Sequence, residues 1–115
     1  LDLDPEAADT ALKLAKENDL TGHMRILTGT LEPTTAGDWW GRVDMLAANI
    51  FLNPLRELAP LMFGVLASGG RGILSGIGYE QADALAEIVE AARLKNHECR
   101  SAPSFLYRGI ANHRR

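Results

Sequence analysis

The stretch DMLAANIFLNPL, Asp44 to Leu55, joins two kinds of chain at a single turn. Its first half is an apolar run that stops at Asn49; its second half opens a helix. Asn53 is suited to cap free amide groups and Pro54 to sit at the first helical position. Leu55, Leu58, Ala59, Met62, Val65 and Leu66 then fall on one face at helical spacing. A strand that ends in an amide just where a helix begins is the arrangement of a sheet covered by helices.

The pattern repeats on both sides. Upstream, Asp4, Pro5 and Glu6 give helix-start signals, and Ala7, Ala8, Ala11, Leu12, Leu14 and Ala15 continue the period as far as ENDLTG. MRILT, Met24 to Thr28, reads as a short strand. LEPTTAGDWWGR reads as a loop, and VDMLAAN, Val43 to Asn49, as the next strand. Downstream, SGG ends the helix, RGILSGI makes a third strand, and a helix runs from about Tyr79 to Lys95 with Ala82, Leu85, Ile88, Val89 and Ala92 inward. HECRSA and FLYRGIAN, separated by Pro103 and Ser104, read as a closing antiparallel pair.

Helix and strand alternate, which argues for an α/β fold with mostly parallel strands. MLAA and GILSGI are apolar enough for strands buried on both faces. The 115 residues amount to about one domain. With 46% hydrophobic residues and a formal net charge of −3, the chain is suited to bury a core and not to bind nucleic acid through general charge attraction. One cysteine, Cys99, excludes an internal disulfide framework and suits a reducing cytoplasm. No apolar run is long enough to span a bilayer, and LDLDPEAADT lacks the regions of a signal peptide.

In parallel α/β sheets ligands bind beyond the carboxyl ends of the strands. Asp2 sits at such an end, where a carboxylate accepts both hydroxyls of a ribose; a solvated aspartate is the plain alternative. At TGTLE, Gly29 lets the backbone approach a flat ligand and Thr30 offers a hydroxyl and an amide, although an ordinary turn accounts for both. Asn49 carries a donor pair and an acceptor on one side chain, suited to an amine and a carbonyl together, or else to a local turn. His23, His97 and His113 are scattered, and no metal-ligand spacing is present. Trp39 and Trp40 are read as folding back onto the sheet in preference to forming a binding lip.

LDLDP, ANIFLNPLRELAPL and SGGRGILSGI, at these separations, closely resemble the catalytic domain of the methyltransferase family that modifies large-subunit ribosomal protein eleven (PrmA type). The resemblance runs from Asp2 to about Ala92. It implies a doubly wound, Rossmann-like methyltransferase sheet that binds S-adenosyl-L-methionine. Asp2 would hold the ribose hydroxyls, Leu3 would pack on the adenine, and Gly29, Thr30 and Leu31 would line the adenine edge. Asn49 would serve both the methionine end of the cofactor and the incoming amine, and is the expected catalytic residue.

Set beside the family, the sequence reads as one partial catalytic domain over residues 1–115. The family's first strand and its glycine-rich loop would precede Leu1, as would the amino-terminal substrate domain. The resemblance therefore implies methyl transfer to amino groups of a ribosomal protein in the cytoplasm, by a carboxyl-terminal fragment of the enzyme. Unpaired sheet edges would favour self-association or a partner. A non-catalytic remnant that binds a protein is the alternative, and a dinucleotide-binding oxidoreductase domain a more distant one.

Overall fold

The structure is a computed structural model that describes residues 1–95 and 104–109, with side chains through residue 93. These residues form two compact units, Leu1–Leu31 and Glu32–Arg115.

The first unit holds one helix, α1 (Pro5–Glu17), which begins as expected from its sequence. The Asp4 carboxylate accepts from the Glu6 amide at 2.9 Å, and Pro5 occupies a first-turn position whose amide would have no helical partner. Ala8 and Ala15 are its buried residues, whereas Leu12 and Leu14 are exposed. The expected strand Met24 to Thr28 is reduced to one parallel bridge between Asp2 and Thr28. The segment facing it is interrupted at Asp4, where the chain turns into α1, so a ladder of successive pairs does not develop.

In the second unit, LEPTTAGDWWGR is not simply a loop: it contains the short helix α2 (Pro33–Trp39), with Pro33 in its first turn and Ala36 fully buried. The strand β1 (Val43–Asn49) follows, with the bounds expected for VDMLAAN. α3 (Leu52–Val65) begins earlier than expected. Phe51 is its N-cap residue, and Asn53 and Pro54 lie inside the first turn, so Asn53 is not the cap. Proline is tolerated there because first-turn amides lack intrahelical acceptors. Leu55, Ala59, Met62 and Val65 are buried as the periodicity requires, joined by Phe63.

β2 (Leu66–Ile77) runs parallel to β1. Val43 pairs with Leu66 and Met45 with Arg71, so β1 advances two residues while β2 advances five. The SGG segment lies in that excess, inside β2: α3 already ends at Val65, so the expectation that SGG ends the helix is corrected. A single helical turn (Tyr79–Gln81) leads into α4 (Ala82–Lys95), and β3 (Ser104–Gly109) completes a sheet of order β1-β2-β3.

β3 is parallel to β2, pairing Arg71 with Ser104 and Leu74 with Tyr107. The expected antiparallel closing strand is therefore corrected. α4 carries the chain back along the sheet, so the next strand enters at the same end as its neighbour. HECRSA, the other half of the expected pair, lies outside the described residues.

The core of this unit is formed by Leu55, Phe63, Val65, Leu66, Leu74 and Ile77, with Leu85, Ile88, Val89 and Ala92 of α4. α3 packs on both β2 and α4. Right-handed crossovers that step along a sheet in one direction put their helices on one face, and α3 and α4 pack against each other. The other face stays open: Met45 is 62% and Ile73 37% exposed, and Ala47 and Arg71 are exposed beside them. The expectation that β1 and β2 are buried on both faces is thus corrected for the described residues.

Trp40 folds back onto helix α3 and not onto the sheet as expected, its ring lying where a β-carbon at Gly64 would be, and it stays half exposed. The backbone follows it: the Gly41 amide donates to the Gly64 carbonyl at 2.9 Å and the Arg42 amide to that of Val65 at 3.1 Å.

Candidate functional site at the strand carboxyl ends

Asp2 is fixed by three hydrogen bonds. Its amide donates to the Leu27 carbonyl at 3.1 Å, and its carbonyl accepts from the Gly29 amide at 2.7 Å. Its carboxylate Oδ1 accepts from the Asp4 amide at 2.9 Å. Asp4 in turn caps α1, so two aspartates each bind the backbone amide two residues on. The side chain of Asp2 is exposed and held at one oxygen, which leaves Oδ2 as an acceptor directed by a fixed backbone.

Gly29 has φ +134°, a conformation that side chains other than glycine rarely take, and the space where a β-carbon would sit is open. A flat group can therefore approach this turn along its backbone. Leu3 is 74% exposed beside Asp2, an apolar surface without a cover among the described residues. Thr30 is half-buried, and Leu31 is 9% exposed and belongs to the core. What Leu31 can offer a ligand is its backbone.

The first unit thus brings Asp2, Leu3 and the Gly29 turn together. Asn49 belongs to the second unit. It ends β1 opposite Ser75, and the next amide, that of Ile50, donates to the Ser75 carbonyl at 3.1 Å. Asn49 is exposed, so its amide is available to solvent or ligand; the buried setting expected from the sequence does not apply. β1 is an edge strand of the described sheet, and the residue falls on its open face.

Two aromatic side chains stand at these same strand ends: Phe51, 79% exposed just past β1, and Tyr79, 75% exposed just past β2. The sequence reading passed over both. Their signal was positional, an aromatic residue two places after each strand stops.

Among the described residues no group of His, Cys, Asp and Glu could hold a metal ion, and no helix is long and apolar enough to cross a membrane.

In the second unit, parallel strands joined by helical crossovers define an α/β protein, a class in which ligands bind beyond the carboxyl ends of the strands. Comparison narrows the class. The family model described as ribosomal protein L11 methyltransferase (PrmA) matches residues 1–103. Curated proteins named ribosomal protein L11 methyltransferase are similar to the chain. That of Nitrosomonas europaea is 36% identical over 92 residues, covering 76% of this chain and 29% of its own length. That of Thiobacillus denitrificans is 40% identical over 83 residues, covering 72% and 25%. That of Laribacter hongkongensis is 39% identical over 92 residues, covering 79% and 28%. No solved structure gives a significant match.

The chain belongs to the ribosomal protein L11 methyltransferase (PrmA) family, a family of methyltransferase enzymes. It spans 25–29% of the length of these relatives.

Proposed function

We propose that this chain carries part of the S-adenosyl-L-methionine site of an enzyme that methylates amino groups of ribosomal protein L11 in the cytoplasm. The observation that carries the reading is Asp2, a carboxylate at an isolated parallel bridge, pinned at one oxygen and open at the other, beside the open Gly29 turn. These residues fit a nucleoside. Oδ2 of Asp2 accepts ribose hydroxyls, Leu3 offers its exposed side chain to the adenine, and Gly29, Thr30 and Leu31 line the adenine edge through their backbone.

When bound, this cofactor supplies a methyl group activated by a sulfonium centre. Asn49 positions the amine that takes it, with Oδ1 accepting an amine N–H and Nδ2 donating to the carboxylate of the methionine portion. Nothing in this set is a nucleophile. The contribution of these residues is orientation, which is a large part of the barrier for a two-substrate displacement.

The reading extends to the organisation of the enzyme. Residues 1–115 supply one segment of the catalytic domain, and the choice of protein substrate rests with length that the relatives have and this chain does not cover. The outer edge of β1 and the open sheet face are where further chain or a second copy would pair.

The test is calorimetric titration of S-adenosylhomocysteine into the chain, with Asp2→Ala and Asn49→Ala alongside. A lost hydrogen bond to a charged group is worth about 1.5–3 kcal/mol, so Asp2→Ala is expected to weaken binding by roughly 10- to 100-fold. Asn49→Ala, a loss of neutral hydrogen bonds worth about 1 kcal/mol, should weaken it about fivefold. Unchanged affinity in both variants refutes the site.

A further inference from the structure

The side-chain amide of Asn49 lies against a glycine of the neighbouring strand that has no room for a side chain. Gly76 directly follows Ser75, the register partner of Asn49. A β-carbon on Gly76 would collide with Oδ1 of Asn49 and would stand 3.0 Å from the carbonyl oxygen and 3.1 Å from the amide nitrogen of Ile50. Gly76 also has φ +87°. The two constraints are separate. Asparagine or aspartate tolerates positive φ moderately well, but any side chain at all would meet the Asn49 amide.

From this geometry we infer that Gly76 is a positioning residue for Asn49: the bare α-carbon of β2 is the surface on which the amide rests, and a side chain there would turn it away from its site. The inference rests on the proposed role of Asn49. It adds the element that fixes this exposed amide, whose own backbone is tied to β2 through the Ile50 to Ser75 hydrogen bond. Side-chain rotamers are discrete, so blocking the resting surface with a side chain moves the amide to another well and not by a small displacement.

The test compares Gly76→Ala with Gly41→Ala. Gly41 has a similar positive φ of +68° but nothing within 4 Å of its β-carbon position, so its variant carries the backbone strain without the collision. In the free chain, the Asn49 side-chain NH2 resonance and the couplings that report χ1 are expected to change in Gly76→Ala and to stay in Gly41→Ala. An unchanged Asn49 signature in Gly76→Ala overturns the inference.

Titration of S-adenosylhomocysteine into Gly76→Ala, Asn49→Ala and the double variant gives the second readout. If Gly76 acts through Asn49, the double variant binds within about twofold of Asn49→Ala, and fully additive losses overturn the inference. A changed signature in Gly76→Ala, together with parental affinity in Asn49→Ala, upholds the control of Asn49 by Gly76 and removes the role proposed for Asn49. Should Gly76→Ala not fold, recovery of folding in the double variant supports the collision with Asn49. Failure to recover assigns the effect to Ile50 and φ and overturns the inference.

Discussion

The two units of the chain hold their candidate groups by different means. Leu1–Leu31 fixes Asp2 with backbone hydrogen bonds and a single bridge, and its buried apolar residues are Ala8, Ala15 and Leu31. Glu32–Arg115 fixes Asn49 at the end of a paired strand, over a core containing Leu55, Phe63, Leu66 and Leu74. Burial of large apolar side chains is the dominant stabilising term, whereas a hydrogen bond exposed to water adds little net. Precise placement of a functional group therefore does not need a large core nearby, but resistance to local opening does.

The strongest way to break this contrast is to cut the larger core. Phe63→Ala, at a side chain 1% exposed, is expected to cost about 3–5 kcal/mol, while Leu14→Ala on the exposed side of α1 should stay within about 0.5 kcal/mol. Denaturant titration followed by circular dichroism measures both, and equal costs would end the distinction. Amide hydrogen exchange sharpens it. The Asp2 and Gly29 amides should exchange at least about tenfold faster than those of Ile73 and Leu74 in the middle of β2, since local opening tracks the apolar contacts that must be broken. Uniform protection would mean a single cooperative structure.

A smaller effect is expected at Asp4. Asp4→Ala removes the cap of α1 and should cost about 1 kcal/mol, seen as faster exchange in the first turn of that helix with no change in β2. Smallest is Glu90→Ala. The Glu90–Arg93 pair is 3.7 Å apart with both side chains more than half exposed, so its loss should shift stability by less than about 0.5 kcal/mol.

The elements legible in the sequence were those governed by local rules. Asp4-Pro5-Glu6 marked α1, the spacing of Leu55, Ala59, Met62 and Val65 marked the inner face of α3, and Val43 to Asn49 marked β1. What the residues did not carry was set by distant neighbours. The direction of β3 follows from the crossover that delivers it and not from the residues in FLYR. MLAA and GILSGI looked fit for burial on both faces because an apolar run does not say how many layers will cover it. The helix within LEPTTAGDWWGR was hidden by its Pro, Thr and Gly content, although Pro33 is itself a helix-start signal. For the candidate site, the resemblance pointed to Asp2, Leu3, Gly29, Thr30, Leu31 and Asn49. Sequence gave no hint that Leu31 is drawn into the core or that Gly76 lies under Asn49, since each depends on a neighbour far along the chain or on the final packing.

The order of the described sheet, β1-β2-β3, is also the order in which its strands leave the ribosome. No strand has to be inserted between two that are already paired. β1, α3 and β2 can close as soon as residue 77 is outside, with loops spanned by a single helix, and β3 then adds to an existing edge. Synthesis and assembly of the described sheet can thus proceed in the same direction, with β3 added after β1 and β2 have paired.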